Sequence, residues 1–252
     1  FDISPEHASN HGDDGERNPA LGLRAIRSGL SEPGFFKTQI RAILTASTTG
    51  RVDIILPMIS NIDEIERAKS IIWAVREEMI SEGQAVSEPR IGVMIEVPST
   101  VFAASRIAGH VDFLCLGTND LVQYLLAVDR DNDSVAEWYQ TLNPAVLSAI
   151  RMVLDASVST GIPITVCGEM ASSPFYVPVL VGLGARELSL NPNSIQPVIK
   201  LISGISAGEA ANLVASLESC ETASETELRL RNYYQKNWPH LFPPGFLSLK
   251  HY

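Results

Sequence analysis

Apolar residues fall along this chain in two alternating rhythms. Short, near-continuous apolar runs cover Arg51 to Met58, Arg90 to Val97, Val111 to Gly117, Ile162 to Val166 and Glu187 to Leu190. Runs of this kind predict strands buried on both faces of a parallel sheet. Between them, apolar positions recur at helical spacing behind recognisable start signals. Asn18-Pro19 opens a helix carrying Leu21, Leu23, Ile26 and Leu30 as far as Gly34, and a second amphipathic helix runs from Phe35 to about Ser47. Asn61-Ile62-Asp63 opens a long charged helix to Gly83, whose Glu64, Arg67, Lys69, Arg76 and Glu77 read as a solvated face. Pro98-Ser99-Thr100 caps Val101 to Ala108, and Asn119 to Val128 follows the third run. Asn143-Pro144 precedes the clearest helix, Ala145 to Thr160, closed by Gly161. Further helices are predicted after Ser173-Pro174 (to Gly182), after Asn193-Ser194, and after Ser206, whose spacing to Glu209 is that of a capping box before Ala210 to Leu217.

Phe1-Asp2-Ile3 adds the stub of another strand, followed by a loop from Ser4 to Asn18 rich in Asp, Asn, Gly, His and Pro. The tail, Tyr233 to Tyr252, is aromatic and proline-rich, and the pattern leaves open whether it packs or lies loose. Strands alternating with helices over 252 residues predict an α/β fold, and a TIM-type (β/α)8 barrel is favoured over an open sheet. With six strand-like runs, such a barrel is expected to lack its first strands. One domain, 1–252, is expected, with a loop-rich start (1–17), a barrel body (18–204) and C-terminal helices with the tail (205–252).

Charge and cysteine usage narrow the function classes. The 19 basic and 29 acidic residues leave a formal net charge of -10, which argues against a nucleic-acid groove or an anionic membrane surface. Any phosphate must then be met by a few placed arginines or a metal. Cys115, Cys167 and Cys220 are an odd, widely spaced set without CxxC spacing, so neither zinc nor a disulfide framework is indicated and a cytoplasmic location is expected. No apolar run approaches the ~20 residues of a membrane-spanning helix. The absent initiator Met suggests a fragment or a processed chain.

In a parallel barrel the active face lies at the C-terminal strand ends, where Glu96, Asn119, Asp120 and Cys167 fall. Glu96 and Asp120 follow consecutive strands, which lie about 4.8 Å apart in a sheet, so their carboxylates suit one Mg2+ with the remaining positions left to substrate and water. The same residues also fit a helix N-terminus at Asp120 and an arginine partner for Glu96. Arg130 ends the helix after Asp120, where the dipole favours a cation with or without a ligand, and Arg24 is equally open between a surface role and a phosphate clamp. Cys167 suits a general acid, a nucleophile or inert packing, whereas Cys115 lies within an apolar strand and reads as packing. Cys220 lies on a polar helix with nothing to select it, and the five histidines show no metal-like spacing.

Taken together and in order, Asn18-Pro19-Ala20-Leu21-Gly22-Leu23-Arg24, Ile91-Gly92-Val93-Met94-Ile95-Glu96-Val97-Pro98, Gly117-Thr118-Asn119-Asp120-Leu121 with Ala127-Val128-Asp129-Arg130, and Cys167-Gly168-Glu169-Met170-Ala171 closely resemble the phosphoenolpyruvate-binding domain of enzyme I of the bacterial phosphotransferase system. The resemblance runs from about Asn18 to about Lys200, and is nearer the nitrogen-related form than the sugar-uptake form. Pyruvate phosphate dikinase and phosphoenolpyruvate synthase share the fold and site type.

The resemblance implies a barrel that binds phosphoenolpyruvate and Mg2+ and passes the phosphoryl group to a histidine on a separate N-terminal domain, releasing pyruvate. It implies a cytoplasmic, homodimeric parent and a phosphocarrier protein downstream. By position, Glu96 and Asp120 would hold Mg2+, Asn119 and Asp120 would contact substrate, and Arg24 and Arg130 would neutralise its phosphate and carboxylate. Cys167 would protonate the enolate at its methylene carbon. Phosphoryl transfer needs positioning and charge neutralisation more than covalent chemistry, and a thiol of ordinary pKa about 8.5 suits protonation at carbon. The chain also departs from the family. Two further arginines and the Gly-Gly-Asp-Lys after the second strand are absent, Ser4-Pro5-Glu6-His7 standing after Asp2-Ile3. The chain alone is therefore expected not to complete phosphoryl transfer. A non-catalytic ligand-sensing or dimerisation module, and a Mg2+-dependent lyase of the related pyruvate barrels, are the alternatives.

Overall fold

The structure, a computed structural model, describes residues 18–247. The strand expected at Phe1–Ile3, the loop from Ser4 and the end of the tail lie outside the described residues. The chain divides into two compact units, Phe1–Cys115 and Leu116–Tyr252.

In the first unit, the helix expected from Asn18 to Gly34 is broken. A 3-10 turn at Pro19–Leu21 is followed by extended backbone at Arg24 (φ -129, ψ 166), and only then by α1 (Ala25–Ser31). Pro33 opens α2 (Pro33–Ala46) one residue after α1's cap, because a proline fits the first helical turn but cannot continue a preceding helix. α3 (Ile62–Ser81) starts at a complete capping box: Asn61 accepts from the Glu64 N–H, and the Glu64 carboxylate accepts from the Asn61 N–H. α1, α2 and α3 pack on one another, burying Ile26, Leu30, Ile40, Leu44, Ile65, Ile72 and Met79.

The strand expected over Arg51–Met58 is β1 (Asp53–Leu56), paired in parallel with β2 (Arg90–Ile95) in the register Asp53↔Arg90 to Leu56↔Val93. β1 corrects the expectation of burial on both faces. Ile54 and Leu56 are buried, but Asp53 and Ile55 face outward, Ile55 being 41 % exposed, so only one side of this strand is covered. α4 (Pro98–Ile107) follows β2, and β3 (Phe113–Gly117) begins where the Asp112 N–H donates to the Ile91 carbonyl at 2.8 Å.

In the second unit, α5 (Thr118–Leu126) follows directly on the end of β3. It stops earlier than expected, because Ala127 turns left-handed (φ 54), and Arg130 lies in the loop beyond instead of ending the helix. Arg130 therefore does not sit at the C-terminal end of α5. α6 (Pro144–Thr160) matches its prediction, with the Asn143 side chain accepting from the Ala145 N–H at 3.0 Å and Gly161 beyond its end. β4 (Ile164–Cys167) ends on the thiol. The strand expected at Glu187–Leu190 reduces to a parallel bridge between Val166 and Leu188.

Two further helices part from expectation. A four-residue α7 (Glu169–Ser172) precedes α8 (Val177–Leu183), which starts later than Ser173-Pro174 implied. α9 (Ile195–Ile202) and α10 (Ala207–Leu217) stand close to where predicted, α10 on its Ser206–Glu209 capping box. Cys220 is not on a helix; it is buried in the turn between α10 and α11 (Ala223–Asn237). The tail packs as far as Phe242, with a last short helix, α12 (Pro244–Leu247). Among the described residues no single helix is long and apolar enough to cross a membrane.

Candidate functional site

Four of the expected site residues, Asn119, Asp120, Arg130 and Cys167, belong to the second unit, and the structure brings them together around the start of α5. Asp120 occupies the first turn of that helix and is 9 % exposed. A carboxylate there is favoured by the free N–H groups and dipole of the helix. Its Oδ1 lies 3.6 Å from Nη1 of Arg130, across the loop that α5 feeds into.

Cys167 meets this helix start from the side. Thr118, 1 % exposed, donates its hydroxyl to the Cys167 carbonyl at 2.8 Å, and the Cys167 thiol donates to the Leu116 carbonyl at 3.4 Å. α7 begins one residue after Gly168, which has no side chain with which to cap it. The Asn119 Oδ1 supplies the missing acceptor, taking the Glu169 N–H at 2.8 Å. Asn119 therefore spends its side-chain oxygen on bracing the Cys167–Gly168–Glu169 turn.

Two residues that the sequence did not single out complete the cluster. Gln123 is buried on α5 and accepts the Arg130 N–H at 3.0 Å, while Tyr139 donates its hydroxyl to the Asn119 carbonyl at 3.0 Å. Burial pushes the Tyr139 phenol well above its ordinary pKa; Glu169 and Asp120 add to that rise, and Arg130 opposes it. Tyr176 is likewise raised, to about 12, first by burial. Gln123 did leave a trace, a polar residue on the apolar face of α5 beside Leu121 and Val122. Tyr139 left none, since its contact depends on the course of the loop.

Glu96 and Arg24 lie in the first unit. Glu96 immediately follows β2, is 5 % exposed, and accepts the Met58 N–H at 2.6 Å. Met58 stands just beyond β1 at φ 56, an unusual conformation for a side-chain-bearing residue, so this carboxylate fastens a strained turn as well as closing its own strand. Arg24 is half-buried at the start of α1, and Arg27 donates to the Leu21 and Gly22 carbonyls (2.8 and 3.2 Å) to shape the turn before it.

Among the described residues no group of three or more His, Cys, Asp or Glu side chains could hold a metal ion. Glu96 and Asp120 are each a buried carboxylate, one in each unit.

Residues 3–207 match the family model of the PEP-utilising enzyme, PEP-binding domain. The chain belongs to this family. A phosphoenolpyruvate-protein phosphotransferase of Bacillus subtilis (strain 168) is 43 % identical over 211 residues, 83 % of this chain and 37 % of the relative. A protein of Escherichia coli (strain K12) described as phosphoenolpyruvate-dependent phosphotransferase system is 44 % identical over 218 residues, 85 % of this chain and 29 % of the relative. The chain thus spans about a third of the length of the curated relatives it matches. A solved citrate lyase from Burkholderia xenovorans LB400 aligns at a TM-score of 0.50 and 16 % identity, over 79 % of this chain and 68 % of that one, a likeness of fold alone. The TIM-type α/β barrel class expected from the strand–helix alternation stands with this family. The described residues contribute four short strands and the bridge at Leu188 to it.

Proposed function

We propose that this PEP-binding domain is the phosphoenolpyruvate site of a cytoplasmic, homodimeric phosphoenolpyruvate-protein phosphotransferase. The parent enzyme would transfer the phosphoryl group to a histidine on a separate N-terminal domain, release pyruvate, and pass the phosphoryl group on to a phosphocarrier protein. The observation that carries this reading is the cluster at the start of α5, where a buried carboxylate paired to Arg130 shares one helix turn with the residues that hold the Cys167–Gly168–Glu169 turn.

Arg130 offers a guanidinium fork to a phosphate or carboxylate, and Arg24 is assigned the same task in the first unit. Glu96 and Asp120 are the residues assigned to hold Mg2+, which when bound would neutralise negative charge on the substrate's oxygens. Cys167 carries its proton in a hydrogen bond to the Leu116 carbonyl at the end of β3, a fixed ground-state position from which it would protonate the enolate carbon. Asn119 acts mainly by holding that thiol's turn in place.

Calorimetry with phosphoenolpyruvate and Mg2+ tests the binding half of the proposal. Binding that is lost in Asp120→Asn and weakened at least about tenfold in Arg130→Met is expected, since a charged hydrogen bond contributes roughly 1.5–3 kcal/mol. Transfer of labelled phosphate to a histidine of the full-length parent tests the other half, and Cys167→Ala should block pyruvate formation there. Binding without any labelled histidine would favour a sensing module, and aldol cleavage of a 2-oxo acid would favour a lyase.

A further inference from the structure

The loop that carries Arg130 is fastened at three points. It leaves α5 through the left-handed Ala127 (φ 54). Within the loop, the Arg130 N–H is held by the Gln123 side chain at 3.0 Å. Beyond the 3-10 turn Asp133–Trp138, Tyr139 ties the chain back to the Asn119 carbonyl at 3.0 Å. The Arg130 side chain pairs with Asp120 at 3.6 Å.

We propose that Gln123 and Tyr139 are positioning residues that pre-set the Arg130 guanidinium against Asp120, so that the anionic substrate meets an arginine already ordered. The inference rests on the phosphoenolpyruvate reading given above. Gln123 is only 4 % exposed, and its neighbours on α5, Leu121 and Val122, are apolar and fully buried. A buried amide is unfavourable unless it is hydrogen-bonded, and a leucine would fill similar space without that penalty. What the amide adds is the bond to the loop. The pair with Asp120 is a weak restraint by itself, because the Arg130 side chain is 35 % exposed and such pairs contribute little. A long, flexible arginine loses rotamer freedom when it grips a ligand, and holding its backbone beforehand reduces what binding must order. Tyr139, a phenol protonated throughout the physiological range, donates to the Asn119 carbonyl at 3.0 Å.

Phosphoenolpyruvate titrations in the presence of Mg2+ on the chain, with a double-mutant cycle, test this. Gln123→Leu and Tyr139→Phe should each weaken phosphoenolpyruvate binding about fivefold to tenfold, the scale of one lost hydrogen bond. In an Arg130→Met background the Gln123→Leu effect should vanish, because Gln123 acts only through Arg130. A second readout needs no ligand: the order parameter of the Arg130 Nε–H bond should fall toward the flexible range, below about 0.6, in Gln123→Leu. Wild-type affinity in both variants, or a Gln123→Leu loss that persists in the Arg130→Met background, overturns the inference. If the unmodified chain binds no phosphoenolpyruvate, the functional reading fails, and an unchanged Arg130 order parameter would then overturn the positioning role separately.

Discussion

Gly168 stands between the Cys167 thiol and the start of α7 at φ 95, a region that side-chain-bearing residues rarely adopt. A β-carbon there would lie 2.3 Å from the Thr118 hydroxyl and 2.8 Å from the Asn119 Oδ1, the two groups that clamp the turn. Gly168→Ala should therefore lower stability by at least about 1–3 kcal/mol and loosen the thiol together with it. A urea midpoint equal to that of the parent chain would show that the clamp yields freely. At the other end of the strands, Arg90 donates through Nε and Nη2 to the Asp53 carboxylate at 3.2 and 2.6 Å. That hydrogen-bonded guanidinium, with Arg51 as a lesser contributor and burial in opposition, holds the Asp53 pKa below its ordinary 3.8. A depressed folded-state pKa means stability that is present above the unfolded value and is lost as pH falls through the folded one. Asp53→Asn should thus be less stable than the parent at pH 6, with the gap closing as the pH is taken well below 3.8; denaturation curves at both extremes measure it.

At the scale of elements, the crossing of α8 and α10 depends on Gly182. A β-carbon there would stand 2.1 Å from the Ala210 carbonyl oxygen and 2.6 Å from Val214 Cγ2, so backbone would have to move. In an open helix, glycine to alanine stabilises by up to about 1 kcal/mol; here the sign should reverse, with a loss of about 1–3 kcal/mol and a melting temperature lower by several degrees. A rise in melting temperature would show that the helices separate at little cost. What was legible in the sequence follows the same division between local and distant causes. α3, α6 and α10 were readable because Asn61, Asn143 and Ser206 cap them from adjacent positions. α7 was not, since its capping oxygen comes from Asn119, fifty residues earlier in the chain. The outward face of β1 was hidden because an apolar run does not reveal how many of its faces are covered. The candidate site divides likewise: strand ends placed Glu96, Asp120 and Cys167, whereas Gln123 and Tyr139 act through a loop whose course depends on a left-handed alanine.

For the molecule as a whole, the family match stops at residue 207, but the packing of the second unit does not. Tyr234, Trp238 and Phe242 are each at most 1 % exposed. The Tyr234 ring stacks on Phe242 at 4.0 Å with an interplanar angle of 6°, and its hydroxyl donates to the Phe175 carbonyl at 2.7 Å. Phe175 in turn lies just ahead of α8, edge-on to Tyr234 at 5.7 Å. The C-terminal aromatic residues are therefore part of the core against which α8 is set, even though α11 is so polar that its sequence gave little sign of it. Removing a buried tryptophan leaves a large cavity, so Trp238→Ala should destabilise by about 3–5 kcal/mol and lower the melting temperature by roughly 6–20 °C. A chain ended at residue 207, the limit of the family match, should fare worse, because it also uncovers the apolar surfaces of Phe175 and α8 to water. Thermal unfolding of both forms beside the parent decides the matter. If the shortened chain melted at the parent's temperature, the tail would be an attachment to the domain, whereas the stacking of Tyr234 on Phe242 and its bond to Phe175 require it to be part of the fold.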